Sequence, residues 1–280
     1  NTVLYLMQIV YKLDDLNKAL DLKSSKIIGF VPTMGTLHNG HLSLIRAAGK
    51  KSNFTIVSIF VNPTQFNSKE DLKNYPYNLD KDITILKKEK VDLLFVPEYS
   101  ELYAEESSIN PSFKELENVL EGKHREGHFE GVLRVLNIFF KLIKPNFAFF
   151  GEKDYQQYLI VKKFALLFFK NIEIVLCPTY REKSGLAMSS RNLRLDLKHL
   201  NQSHKLFEVL LFCKSNFELS KRESLEKICL SKISSFSDPE YFEIRHSDDL
   251  QNNGSIDKKW RAFTATKFGS VRLIDNIALN

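Results

Sequence analysis

Five short apolar runs punctuate the first two thirds of this chain: Ile27–Val31, Phe54–Val61, Val91–Val96, Phe147–Phe150 and Ile172–Leu176. Runs of this length, bounded by turn-forming residues, read as strands buried on both faces. Helical spacing separates them, over His41–Lys50, Leu79–Lys88, Gly131–Ile143 and Tyr155–Phe169. Strands alternating with helices of that size predict parallel βαβ units and an α/β fold built on a doubly wound parallel sheet. From about Arg181 the pattern changes. Asp196–Ser215 and Arg222–Ser235 read as helices, Tyr241–Arg245 and Arg261–Thr266 as strands, and Gly269–Asn276 closes the chain. We therefore expect residues 1–180 to form the sheet domain and 181–280 a smaller α+β domain, hinged near Pro178–Ser184. No internal repeat stands out, and no apolar run approaches the ~20 residues that span a bilayer.

In sheets of this kind ligands bind beyond the carboxyl ends of the strands, and the polar motifs of the chain fall there. The first is Pro32-Thr33-Met34-Gly35-Thr36-Leu37-His38-Asn39-Gly40-His41, between the strand at Ile27–Val31 and the helix that starts near Leu42. A glycine-bearing turn at a helix N-terminus presents free backbone N–H groups and the positive end of the helix dipole, which suits an anion. His38 and His41, three residues apart, share a face of the first helical turn. Two imidazoles there can donate hydrogen bonds to phosphate oxygens as charge builds up. Two unrelated surface histidines are the plainer reading, and the spacing is not that of a zinc-binding HExxH pair.

The second motif, Phe149-Phe150-Gly151-Glu152-Lys153-Asp154-Tyr155-Gln156-Gln157, runs from an aromatic strand into a polar helix start. Ordinary capping explains Glu152 and Asp154, whereas Lys153 at a strand end suits a polyphosphate. The third, Leu186-Ala187-Met188-Ser189-Ser190-Arg191-Asn192, offers two hydroxyls and a guanidinium able to grip phosphate oxygens, or is a plain loop. The fourth, Ser58–Phe66, ends a strand in Asn62-Pro63, after which Gln65 either completes a turn or binds a small polar substrate. The fifth, Glu121–Gly131, is charged and glycine-punctuated, and reads as a binding loop or a solvated connection.

Composition narrows the picture only a little. A net charge of +6 fits an anionic ligand, and also nucleic acid. The lysines are scattered, however, without the continuous basic stripe and stacking aromatics of a nucleic-acid binder. Cys177, Cys213 and Cys229 are widely spaced with no CxxC pair, which argues against a disulfide framework or zinc ribbon and suits reduced thiols in the cytoplasm. The opening residues lack a secretory pattern. Residues 1–6 are expected to be linker, with the native chain beginning at Met7.

Taken together, the stretches VPTMGTLHNGHLSL, VSIFVNPTQF, GHFEGV, FFGEKDYQQ, GLAMSSRN and RLIDN resemble, in this order, the pantothenate synthetase family. That family belongs to the Rossmann-like nucleotidyltransferase superfamily, related in fold to class I aminoacyl-tRNA synthetases. The resemblance runs from about Met7 to the end. It implies ATP-dependent joining of pantoate to β-alanine through pantoyl adenylate, with Mg²⁺ accompanying ATP, and a homodimer without nucleic-acid or membrane partners. It also implies site residues. Met34, Gly35, Thr36, Leu37, His38, Asn39, Gly40 and His41 match a segment that holds ATP, with His41 in the proton-donor position. Gly151, Glu152, Lys153 and Asp154 match a second ATP segment, with Lys153 on the phosphates. Tyr180 matches a backbone contact to adenine, and Met188, Ser189, Ser190 and Arg191 the closing phosphate loop. The implied catalytic set is His38, His41, Lys153, Ser189, Ser190 and Arg191. Gln65 and Gln157 match the glutamines that hold pantoate, Gln65 also lying near β-alanine. The chain departs from the family at Glu126, where proline is usual, at Ser184, where aspartate is common, and at Arg134 in place of threonine. Arg134 adjoins Val135 and Leu136, whose positions line the pantoate pocket in the family, and is expected to alter that pocket.

Overall fold

A computed structural model describes residues 6–22, 25–104, 111–255 and 257–280, so the expected linker at residues 1–6 lies, apart from Leu6, outside the described residues. Six strands form one sheet: β1 (Gln8–Val10), β2 (Ile28–Thr33), β3 (Phe54–Ile59), β4 (Leu93–Phe95), β5 (Phe147–Gly151) and β6 (Glu173–Cys177). Their order is β1-β4-β3-β2-β5-β6, and every pairing is parallel. The chain steps outward from β2 through β3 to β4, then crosses back to lay β5 on the other side of β2. That reversal makes a topological switch point between β2 and β5, where such sheets bind ligands.

The strands are continuously apolar because both faces are covered. On one face Val31, Val57 and Leu94 pack with Leu44 and Ile45 of the helix Asn39–Lys51 and Leu86 of the helix Leu79–Lys88. On the other, Phe30, Phe60 and Phe95 meet the edge of Phe139, on the helix His128–Ile143, with ring centroids 5.6, 6.4 and 6.0 Å away. The five expected strands are all present, with shifted ends. The strand β1 and the helix Leu13–Asp21 were not anticipated. Three residues and a half-exposed pattern are too little signal for an edge strand.

The second compact unit is built on three antiparallel strands, β7 (Asp238–His246), β8 (Trp260–Phe268) and β9 (Val271–Ala278). Two helices, Lys205–Ser215 and Arg222–Ser234, pack their Leu210, Cys213, Cys229 and Ile233 against Ile244, Trp260 and Ala262 of this sheet. The helix expected over Asp196–Ser215 is two helices, Leu197–Ser203 and Lys205–Ser215, the first capped by the Asp196 carboxylate on the His199 N–H at 2.8 Å.

Pro178–Asn280 is not the whole of this unit. Phe113–His124 and Lys153–Leu159 group with it, although both precede residue 180 in sequence. The reason is a buried ionic network. Glu121, 6% exposed, takes both Arg272 guanidinium nitrogens at 2.6 and 2.7 Å and the Tyr241 hydroxyl at 2.7 Å. The fifth motif is therefore not a solvated connection at Glu121. Among the described residues no helix is long and apolar enough to cross a membrane.

Arg272 also donates to Glu240 at 2.8 Å. Burial works to raise the Glu240 pKa, but the hydrogen bonds and charges of Arg272 and Lys267 hold it below the usual value of 4.5. A carboxyl depressed in this way stabilises the fold above its unfolded pKa, and that stabilisation is lost as pH falls through the lowered one. Replacing Arg272 with Met strands the Glu121 carboxylate, and breaking a buried pair from one side costs about 3–5 kcal/mol. Arg272→Met should lower the unfolding free energy by that order at pH 7, read by chemical denaturation. The deficit should shrink on acidification below the carboxylate range, as the stranded acids become neutral.

Candidate active site

The turn after β2 has two consecutive left-handed residues, Gly35 at φ +80° and Thr36 at φ +53°. Glycine adopts this freely, but threonine is held there by its surroundings. The Asp82 carboxylate, on the helix Leu79–Lys88 and 1% exposed, accepts the N–H of Thr36 at 2.7 Å and of Leu37 at 2.8 Å. The Thr36 hydroxyl donates to the Pro76 carbonyl, and the Gly35 N–H to the Thr33 hydroxyl at 3.2 Å. Burial raises the Asp82 pKa above the usual 3.8, and the two backbone hydrogen bonds and Lys81 oppose that rise.

The expectation of free backbone N–H groups is therefore corrected. Those of Gly35, Thr36 and Leu37 are spoken for, and the helix start is closed by the histidines themselves. The Gly40 N–H donates to His38 Nδ1 at 3.1 Å, and the His38 N–H donates to His41 Nδ1 at 3.3 Å. A backbone N–H is only a donor, so both Nδ1 atoms are acceptors and both protons sit on Nε2. The rings stack at 4.0 Å between centroids. The backbone thus sets the tautomer of both rings.

Beside it, β3 ends in a short 3₁₀ turn, Pro63–Gln65, capped by Asn62. Asn62 Oδ1 accepts the Thr64 N–H at 3.3 Å and Asn62 Nδ2 donates to the Gly131 carbonyl at 3.0 Å, so two backbone groups fix which way this amide faces. Asn62 Nδ2 also donates to Gln65 Oε1 at 3.2 Å. The Gln65 oxygen is thereby taken, and its Nε2 donates to Met34 Sδ at 3.1 Å. The Gln65 carbonyl accepts His128 Nδ1 at 2.8 Å. Gly131 is required here, since a Cβ would come within 3.0 Å of the Thr64 and Gln65 backbone. Arg134, one turn further along that helix, lies over the Tyr103 ring at 4.9 Å, and the Tyr103 hydroxyl donates to Asn62 Oδ1 at 3.0 Å. The unusual arginine thus bears on Gln65 through Tyr103 and Asn62.

The remaining candidates lie in or next to the second unit. Gly151 ends β5 and Glu152–Asp154 form a 3₁₀ turn that runs into the helix Tyr155–Phe168. The Lys153 ammonium lies 3.6 Å from the Asp154 carboxylate. The adjacent glutamines have different fates. Gln156, 4% exposed, accepts the Glu121 N–H at 2.9 Å and donates to the Leu116 and Val119 carbonyls at 2.6 and 2.8 Å. Gln157 is half-buried, and among the described residues its amide has no such anchors. Tyr180 is 41% exposed, and its carbonyl accepts the Met188 N–H at 3.0 Å. The Ser189 hydroxyl caps the turn Ser190–Arg194 by accepting the Arg191 N–H at 3.3 Å, and Ser190 is buried.

Sequence reasoning gave no role to Asp82, Asn62, His128 or Asn276, each of which bonds a named site residue, although all but Asp82 stand inside the quoted motifs. Only Asn62 carried a local signal, the Asn-Pro start of a turn.

A doubly wound sheet with a histidine-capped helix at its switch point defines a nucleotide-binding α/β enzyme. The family model described as pantoate–beta-alanine ligase matches residues 7–278, and the chain belongs to that family. It is 47% identical over 261 residues to the pantothenate synthetase of Christiangramia forsetii, covering 91% of this chain and 92% of the relative. It is 39% identical to that of Pseudothermotoga lettingae, covering 98% and 99%. Among solved structures, a pantoate–beta-alanine ligase from Thermus thermophilus superposes with TM-score 0.90 at 35% identity, covering 98% and 99%. The Francisella tularensis ligase, complexed with beta-gamma ATP and beta-alanine, gives 0.82 at 38% identity and 98% coverage of both chains. The chain is thus an ATP-dependent enzyme that condenses pantoate with β-alanine to give pantothenate, AMP and pyrophosphate through pantoyl adenylate.

Asp82→Ala should release the turn. Each buried N–H left without an acceptor costs about 1–3 kcal/mol. The Thr36 and Leu37 amides, protected in the parent, should exchange rapidly with solvent deuterium in the variant while amides of β3 keep their protection.

Proposed function

We propose that the His38–His41 pair and Lys153 serve the adenylation half-reaction and that Gln65 and Gln157 hold pantoate. The observation that carries this reading is the 3.1 Å approach of Gln65 Nε2 to Met34 Sδ. It brings the residue assigned to pantoate against the segment assigned to ATP, as attack of a carboxylate on the α-phosphorus requires. In that step the pantoate carboxylate forms a bond to phosphorus and pyrophosphate leaves with the bonding pair. The β-alanine amine then attacks the acyl carbon, AMP leaves, and the ammonium proton passes to solvent. Such chemistry asks for positioning and charge stabilisation rather than a protein nucleophile.

His41, its proton held on Nε2, is the donor toward the phosphate oxygens, and His38 supports it in the same tautomer. Lys153 offsets the growing charge, joined by Ser189, Ser190 and Arg191 in closing on the phosphates. Met34 to Gly40, Gly151 to Asp154, Tyr180 and Met188 complete the ATP contacts. Mg²⁺ belongs to the same reading and would supply charge neutralisation of the leaving pyrophosphate. A homodimer in the cytoplasm is part of the proposal, and the buried unpaired thiols of Cys177, Cys213 and Cys229 suit a reducing compartment.

Protein mixed with Mg²⁺, ATP and pantoate alone should exchange labelled pyrophosphate into ATP. An absolute requirement for β-alanine would refute the two-step order. Loss of one charge-stabilising donor commonly costs about 10²–10³ in kcat. His41→Ala and Lys153→Ala should slow the exchange by that order while remaining folded, and a folded variant with a normal rate would remove its residue from the step.

The glutamines are separable from the nucleotide. Gln65→Met and Gln157→Met should each weaken pantoate use, because a site built to hydrogen-bond a substrate discriminates through the polar groups left unpaired. ATP binding should be nearly unchanged. Calorimetric titration with ATP and with pantoate reads the two affinities, and unchanged pantoate affinity in both variants would relocate the pocket.

A further inference from the structure

The closing motif RLIDN has no role in the reading above, yet its last two residues are among the most constrained side chains of the second unit. Asp275 and Asn276 are 4% and 3% exposed, and both lie on β9. Asp275 takes the Arg181 fork through both oxygens, at 2.6 and 2.9 Å. Arg181 also donates to the Gly185 carbonyl at 3.1 Å and lies over the Phe207 ring at 3.7 Å. The residues around it form a tight hairpin, with the Glu182 N–H on the Leu186 carbonyl at 2.8 Å and the Met188 N–H on the Tyr180 carbonyl at 3.0 Å. The Met188–Arg191 loop leaves directly from this hairpin.

Asn276 faces the other phosphate segment. Its Nδ2 donates to the Lys153 carbonyl at 2.8 Å, and its Oδ1 accepts from Arg261. A carbonyl only accepts and a guanidinium only donates, so two independent partners set the same orientation of the amide. Arg261 is itself packed against the Tyr155 ring at 4.0 Å. Anchoring the Lys153 carbonyl fixes the peptide plane from which the Lys153 side chain departs.

We infer that Asp275 and Asn276 are positioning residues of the adenylation step: one dipeptide of β9 holds both the base of the Met188–Arg191 loop and the backbone of Lys153. The inference rests on the reading of Lys153 and that loop as phosphate-binding. Asn276 touches no substrate in this account and acts through Lys153.

That dependence makes it testable by non-additivity. A misplacement of about 1 Å at a catalytic group costs about 10²-fold in rate. Asn276→Ala should lower the pyrophosphate-exchange kcat by that order and leave the pantoate KM unchanged. In a Lys153→Ala background the same change should cost nothing further, because the group it positions is already gone. A merely structural loss would slow the residual rate again. Arg181→Lys, which keeps the charge and loses the fork, should raise the KM for ATP and again leave pantoate alone. Should the alanine variant fail to fold by thermal melting, Asn276→Asp keeps the volume and the acceptor for Arg261 while removing the donor to Lys153, and carries the same expectation. A near-parental kcat in a folded Asn276 variant, or losses that multiply in the double variant, would overturn the inference. A normal rate in Lys153→Ala alone would remove the underlying reading of Lys153, and the inference with it.

Discussion

A single buried carboxylate sets the geometry on which the segment from Gly35 to His41 depends. Asp82 accepts two successive N–H groups of a turn whose residues are left-handed at both Gly35 and Thr36. A threonine in that region is strained unless its neighbours over-determine it. Asp82 and the Pro76 carbonyl, which takes the Thr36 hydroxyl, do so. With the turn fixed, His38 arrives at the N-cap of the helix and His41 one turn in, and each ring accepts a backbone N–H of the helix start. The sequence from Asp82 to the imidazoles is therefore one hydrogen-bonded unit, although its members are scattered along the chain.

The same economy appears at the end of β3. Asn62 is oriented by two backbone groups, and it in turn decides which atom Gln65 shows. A glutamine in solution can donate or accept with either end of its amide. Here it is reduced to a donor. The complement of such a group is an acceptor atom, a part taken here by Met34 Sδ.

How much of this was legible in the chain follows from how local each signal is. The parallel strands β2 to β6 announced themselves because both faces are buried and their runs are apolar throughout. Lys153 and the His38–His41 pair could be singled out as candidates because motif and strand end coincide in sequence. Phe113–His124 was not assigned to the second unit, because what draws it there is Glu121 meeting Arg272, 151 residues away. The supposedly free amides of Thr36 and Leu37 were misjudged for the same reason, since their acceptor lies 46 and 45 residues downstream. Gln156 and Gln157 were separated by the resemblance alone. The structure supplies the physical distinction, one amide consumed by Leu116, Val119 and Glu121 and the next left available.

The histidine cap carries a liability of its own. Asparagine, aspartate, serine and threonine cap helices with oxygens that still accept at mildly acidic pH. Here the capping acceptors are imidazole Nδ1 atoms, and a proton added to either ring converts an acceptor into a donor aimed at a backbone N–H. Each cap is therefore tied to one tautomer of its ring, and any change that places a proton on Nδ1 removes the acceptor on which the helix start rests.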